Sequence, residues 1–88
     1  MKSLHLKVYG HVQGVGFRFY TVQHAIKFNV TGTVQNVNDY VEIFATGSES
    51  ALNHFTENVL RGASPMSRVA SYEIIEIPLQ TFNQFKSI

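Results

Sequence analysis

The sequence is most constrained at Gly10-His11-Val12-Gln13-Gly14-Val15-Gly16-Phe17-Arg18, where three glycines stand between two segments of different periodicity. Before it, Leu4-His5-Leu6-Lys7-Val8-Tyr9 alternates. That predicts a strand over about Ser3 to Tyr9, with Leu4, Leu6 and Val8 on one face. After it, Phe17 to Phe28 holds neither Gly nor Pro and is long enough for about three helical turns. The stretch therefore reads as a strand-to-helix loop with an arginine in the first turn of the helix. Such a loop can point successive backbone N–H groups into one concavity, which suits an anion. Glycine allows close approach and positive φ, and Arg18 would add a planar, permanently charged fork that matches phosphate or carboxylate oxygens. The same residues fit a tight turn whose glycines serve geometry and whose arginine is solvated. Physics alone leaves these two readings level.

Composition narrows the partners. At 88 residues the chain supports one domain, residues 1–88, with a single two-layer core. A net charge of +1 gives no electrostatic case for nucleic acid or an anionic membrane. The chain has no cysteine, which removes disulfides, thiolate catalysis and cysteine metal sites. No apolar run approaches the ~20 residues of a membrane span, and the start lacks a signal peptide's apolar core. A cytoplasmic protein is expected.

Further along, Asn29 to Gln35 is rich in β-branched residues and predicts a second strand ending near Asn36. Asn38-Asp39 is turn chemistry, and Tyr40 to Ala45 predicts a third strand hairpinned to the second. Gly47-Ser48-Glu49-Ser50 offers a loop and a serine N-cap for a helix carrying Leu52, Phe55, Val59 and Leu60. Gly62 stands at the position of a helix-terminating glycine, with Ser64-Pro65 beyond it. Arg68 to Ile77 predicts a fourth strand closed by Pro78, and a short fifth edge strand is open to Phe82–Lys86. The first helix carries two competing apolar stripes, Phe17/Tyr20/Thr21/Ala25/Phe28 and Phe19/Val22/Ile26, and periodicity does not choose between them. The order β-α-β-β-α-β predicts an α+β, ferredoxin-like sandwich, an antiparallel sheet with two helices on one face. A β-α-β crossover returns the second strand parallel to the first, which brings Asn36 towards the Gly10–Arg18 loop.

The loop Gly10 to Arg18 closely resembles the signature loop of the acylphosphatases, and Gly32-Thr-Val-Gln-Asn36 resembles their second signature at the matching interval. Gly62-Ala-Ser-Pro65 also resembles the loop after their second helix. The resemblance covers nearly the whole chain. It implies a ferredoxin-like fold and a metal-independent, cofactor-free hydrolysis of acyl phosphates to a carboxylate and inorganic phosphate. Carried over by position, it implies Arg18 as the phosphate-binding arginine and Asn36 as the residue orienting the attacking water. The backbone of Gly14, Val15, Gly16 and Phe17 would then form the phosphate cradle. Inorganic phosphate would be both product and inhibitor, and the protein is expected to be a monomer. The chain departs from the family's usual pattern after Asn36, where Asn36-Val37-Asn38-Asp39-Tyr40-Val41 is one residue shorter and has no glycine.

The chemistry needs no strong acid, because the leaving group is a carboxylate. What remains is to bind the phosphoryl oxygens, neutralise charge and place water in line. An asparagine amide has both donors and an acceptor, so Asn36 can hold a water without acting as a base. Read without the resemblance, Asn36 more simply satisfies turn backbone. His5, His11, His24 and His54 are scattered without metal-ligand spacing, and only His11 lies inside the loop. Gly14-Val-Gly16 lacks the third glycine of a dinucleotide fingerprint, and Phe17-Arg18 stands where a Walker loop needs Lys-Ser/Thr. Two alternatives remain: a nucleic-acid-binding sheet offering Tyr40 and Phe44, and a non-catalytic interaction module.

Overall fold

The computed structural model describes residues 1–88. Its elements are β1 (Lys2–His11), α1 (Phe17–Lys27), β2 (Thr31–Val37), β3 (Tyr40–Gly47), α2 (Glu49–Leu60), β4 (Arg68–Ile77) and β5 (Phe85–Ser87). The strands form one sheet in the order β4-β1-β3-β2-β5. β3 lies antiparallel between β1 and β2, so those two run the same way and end at the same side of the sheet. The ferredoxin-like order read from the sequence is the order of the fold.

The fifth strand occupies Phe85–Ser87, at the C-terminal end of the expected stretch, and pairs parallel with β2. The sheet is therefore mixed. The reason is positional. β4 finishes where β1 and β2 begin, residues 78–84 cross the sheet there, and β5 sets out from that end in the direction of β2. Ser3 and Thr46 anchor the crossing: the Gln80 N–H donates to Ser3 Oγ at 2.8 Å, and Thr46 Oγ1 donates to the Gln80 carbonyl at 2.9 Å.

One sheet face is covered by the helices. Leu6, Val8, Val34, Val41, Ile43 and Ala45 meet Phe17 and Ala25 of α1 and Leu52, Phe55 and Val59 of α2 in a single buried cluster. Each fully buried Leu, Ile, Val or Phe side chain contributes about 1.5–3 kcal/mol. On α1 the stripe Phe17, Thr21, Ala25 is inside, whereas Phe19 and Ile26 are exposed. The buried Thr21 hydroxyl is satisfied by donating to the Phe17 carbonyl at 2.8 Å. Ser48 is the N-cap of α2, accepting the Ala51 N–H at 3.1 Å, and Gly62 (φ 114) lies just past its C-cap residue, Arg61.

The other face is polar and largely open. The His5 ring stacks on Phe44 with centroids 4.4 Å apart, and His5 Nε2 lies 2.8 Å from Glu42 Oε2. Gln35 Nε2 donates to the other Glu42 oxygen at 3.0 Å. No helix is long and apolar enough to cross a membrane.

Candidate active site

β1 and β2 deliver the two sequence motifs to one place. The loop between β1 and α1 and the end of β2 enclose a cleft of about 530 Å³, lined among others by Gly14, Gly16, Phe17, Arg18 and Asn36. Buried Val12 before the loop and buried Phe17 after it pin both flanks to the core. Between them Gly14 (φ 75) and Gly16 (φ 77) take left-handed backbone angles. A Cβ on Gly14 would meet nothing, and one on Gly16 would come no closer than 3.7 Å to the Tyr20 ring. Glycine is required here by the backbone angle, not by crowding. Val15, between them, turns its side chain onto the edge of the core.

This curl leaves the amides free. The first hydrogen bond of α1 runs from the Tyr20 N–H to the Gly16 carbonyl at 3.0 Å, and no protein acceptor takes the N–H groups of Gly14 to Phe19. Gly16 is the N-cap and supplies no capping side chain, and the first turn of α1 contains no acidic residue. A run of unpaired donors at the positive end of a helix is suited to an anion. Arg18 adds its charge at that lip. It is exposed and forms none of the molecule's ion pairs, which join Lys2 to Glu49 and Glu76, His5 to Glu42 and Arg61 to Glu57.

Asn36 lies opposite Val41 near the end of β2, on the face shared with Val34. Its side-chain amide has no hydrogen-bond partner in the protein. The turn that it could have satisfied is held by another residue: Gln13 Nε2 donates to the Asn38 carbonyl at 3.1 Å and to the Tyr40 carbonyl at 3.0 Å. One of these carbonyls lies within the two-residue turn and the other just after it, and Asn38 adopts φ 51, a region asparagine tolerates. Gln13 thus ties the anion loop to the hairpin carrying Asn36.

Two groups with displaced protonation equilibria, Glu42 and Tyr9, lie on the open sheet face. Partial burial pushes the Glu42 carboxyl up, but hydrogen bonds from His5 and Gln35 outweigh this and hold it below the ordinary carboxylate range. Desolvation and the nearby Glu73 carboxylate push the Tyr9 phenol up. The cleft offers fixed charge and dipoles, with neutral amides to handle water.

The histidines are dispersed. His24 Nε2 lies 3.1 Å from the Ala63 carbonyl, and His54 Nδ1 lies 3.0 Å from the Ser50 carbonyl. His11 ends β1 opposite Arg68 and does not line the cleft. No three His, Asp or Glu side chains gather where they could share a metal ion. On the open face Phe44 is stacked under His5 with Glu42 beside it, which is poor ground for stacking nucleic-acid bases. Sequence reasoning missed Phe19, Val22, Gln23 and Ser87, which also line the cleft. The exposed stripe on α1 was a signal for the first two. Ser87 left none, because its place depends on the parallel pairing of β5.

Comparison with known proteins fits this geometry. The acylphosphatase family model matches residues 4–87. An acylphosphatase of Staphylococcus aureus (strain Newman) is 48% identical over 89 residues, covering 100% of both chains. The crystal structure of acylphosphatase from Bacillus subtilis superposes with a TM-score of 0.95 at 39% identity, covering 100% of this chain and 99% of that one. The structure of an acylphosphatase from Coxiella burnetii does so with a TM-score of 0.93 at 30% identity, covering 99% and 92%. With residues 4–87 matched by the family model, a relative 48% identical over the whole chain and the same fold in solved members, the chain belongs to the acylphosphatase family.

Proposed function

We propose that the cleft hydrolyses acyl phosphates by holding the phosphoryl group on the amides of Gly14 to Phe17 and on Arg18, with Asn36 positioning water. The observation that carries this reading is the convergence, on one cleft, of unpaired amides, an arginine with no carboxylate partner and an asparagine amide with no protein partner. The phosphoryl oxygens take up the free N–H groups and the guanidinium, which then face the charge that develops in the transition state. Asn36 accepts a hydrogen bond from water through its amide oxygen and presents the water to phosphorus. As the new P–O bond forms, the bond from phosphorus to the acyl oxygen breaks and its electron pair leaves as carboxylate. The proton of the attacking water passes to a phosphoryl oxygen of the substrate, since Asn36 is no base. Products are a carboxylate and inorganic phosphate, and the phosphate competes with substrate for the same amides. Water excess and the stable leaving group make the reaction run downhill.

The test is phosphate release from benzoyl phosphate by the wild type and by Arg18→Ala. The variant should raise KM and also cut kcat, because its charge is felt in the ground state and more strongly in the transition state. Lysine should rescue little, lacking the planar fork. Full activity in Arg18→Ala would sink the assignment.

A further inference from the structure

The two edges of the sheet are finished differently. On one side β5 is three residues long and carries Lys86. On the other, β4 runs for ten residues and has only β1 as a neighbour. No residue of β4 is buried, and the strand holds neither Lys nor Pro. Its register against β1 skips Ala70, so a bulge disturbs that end and leaves Ser71 to Ile77 regular. A long regular edge with free N–H and C=O groups is a template for another strand.

The side chains along this edge are apolar on both faces. Tyr72 and Ile74 pair with Val8 and Leu6, which puts them on the helix side. Neither helix covers them, and they are 53% and 38% exposed. On the open side Ile75 is 58% exposed. The carboxylates of the strand already have partners within the chain. Glu73 stands opposite Lys7 and accepts from the Tyr9 hydroxyl at 3.3 Å, and Lys2 Nζ lies 3.7 Å from Glu76 Oε1. A strongly basic strand would gain little here, and an apolar strand of balanced charge fits better. β4 is itself such a strand.

We infer that β4 is a homodimer seam, pairing antiparallel with β4 of a second copy about a two-fold axis normal to the sheet. Such an axis keeps each residue on its own face, so the register centres on a residue. Centring on Tyr72 draws the bulged Ala70 into the ladder. Centring on Glu73 sets that carboxylate against its own copy, and like charges directly opposed repel. Centring on Ile75 pairs only Glu73 to Ile77. Centring on Ile74 pairs the whole regular segment: Ser71 with Ile77, Tyr72 with Glu76, and Glu73 with Ile75. Ile74 then meets Ile74, the Tyr72 hydroxyl can donate to the Glu76 carboxylate, and no like charges are opposed. One strand edge is a small interface, so the dimer is weak and forms as concentration rises. The monomer expected from the resemblance is its dissociated form. No residue of β4 lines the cleft, so pairing leaves the cleft of each copy open.

The experiment is sedimentation equilibrium of the full chain from about 10 µM to about 1 mM. The wild type should rise from the monomer mass towards twice that mass. Ile74→Lys opposes two ammonium groups at the axis and should weaken the dimer by about tenfold or more, with circular dichroism showing the fold intact. Register is read by cross-linking, since the chain has no cysteine of its own. Under mild oxidation Ile74→Cys should form a disulfide dimer, its Cα atoms about 5 Å apart across the axis. Tyr72→Cys should not, because its two copies stand roughly 14 Å apart. A monomer at every concentration, a dimer indifferent to Ile74→Lys, or equal cross-linking of the two cysteine variants overturns the seam.

Discussion

Asn36 and Gln13 carry the same amide group and do different work. Gln13 spends both its N–H donors on the Asn38 and Tyr40 carbonyls, so the amide of Asn36 is left without a turn to satisfy and is free for the proposed role in positioning water. Asn36→Ala should therefore lower kcat by roughly two to three orders of magnitude, about 3–4 kcal/mol of transition-state stabilisation, while inorganic phosphate still inhibits competitively. Asn36→Asp keeps the shape, sets a negative charge beside an anionic substrate, and should be similarly poor. Steady-state kinetics with phosphate as inhibitor separates these effects. Gln13→Ala should act on geometry, cutting kcat about tenfold with a smaller change in the phosphate inhibition constant, since the loop amides themselves remain. Gln13→Glu should be worse, because it aims an anion at two carbonyls. That Arg18 and Asn36 meet at one cleft was legible in the sequence through the β-α-β crossover, while their proposed roles came from the family resemblance of the two motifs. The brace was not. A glutamine in a glycine-rich loop looks alike whether it faces solvent or a hairpin, and only the return of β2 beside β1 decides.

Between elements, β2 and β3 meet across a glycine. Gly32 faces Ala45 with φ 147, and a Cβ there would overlap the Phe44 carbonyl oxygen. Gly32→Ala should cost more than about 1 kcal/mol, a drop in Tm of at least about 5 °C for a domain of this size, measured by thermal unfolding. On the open face, the depressed Glu42 carboxyl stabilises the fold at pH values above the ordinary glutamate pKa of about 4.3, and this stabilisation is lost as pH falls through the lower folded value. The Tm difference between wild type and Glu42→Gln should accordingly be largest near neutrality and shrink below about pH 4. Strand and helix positions were readable because alternation, capping serine and terminating glycine are local signals. The direction of β5 was not, since it follows from where β4 ends, at the far edge of the sheet. Nor was the inner stripe of α1. Both stripes are apolar, and burial of Phe17 and Ala25 is set by the sheet beneath them.

For the molecule as a whole, the dispersal of histidines and carboxylates predicts that activity survives excess EDTA. Loss on chelation, restored by a divalent ion, would contradict it. The resting protein also carries an internal tension. Arg18 puts a positive charge at the positive end of the α1 dipole, with no acid in the first turn to offset it and no side-chain cap on Gly16. Such a misplaced charge costs about 0.3–1 kcal/mol. An evolutionary drift towards a more stable helix would replace this arginine or cap this glycine, and on the proposed reading either change would close the site. Selection for turnover would then hold the fold below the stability its sequence could reach. Phosphate occupying the amides, as proposed, would return the missing stability through mass action. In phosphate-free buffer Arg18→Ala should melt no lower than wild type, and as phosphate is added only the wild type should climb.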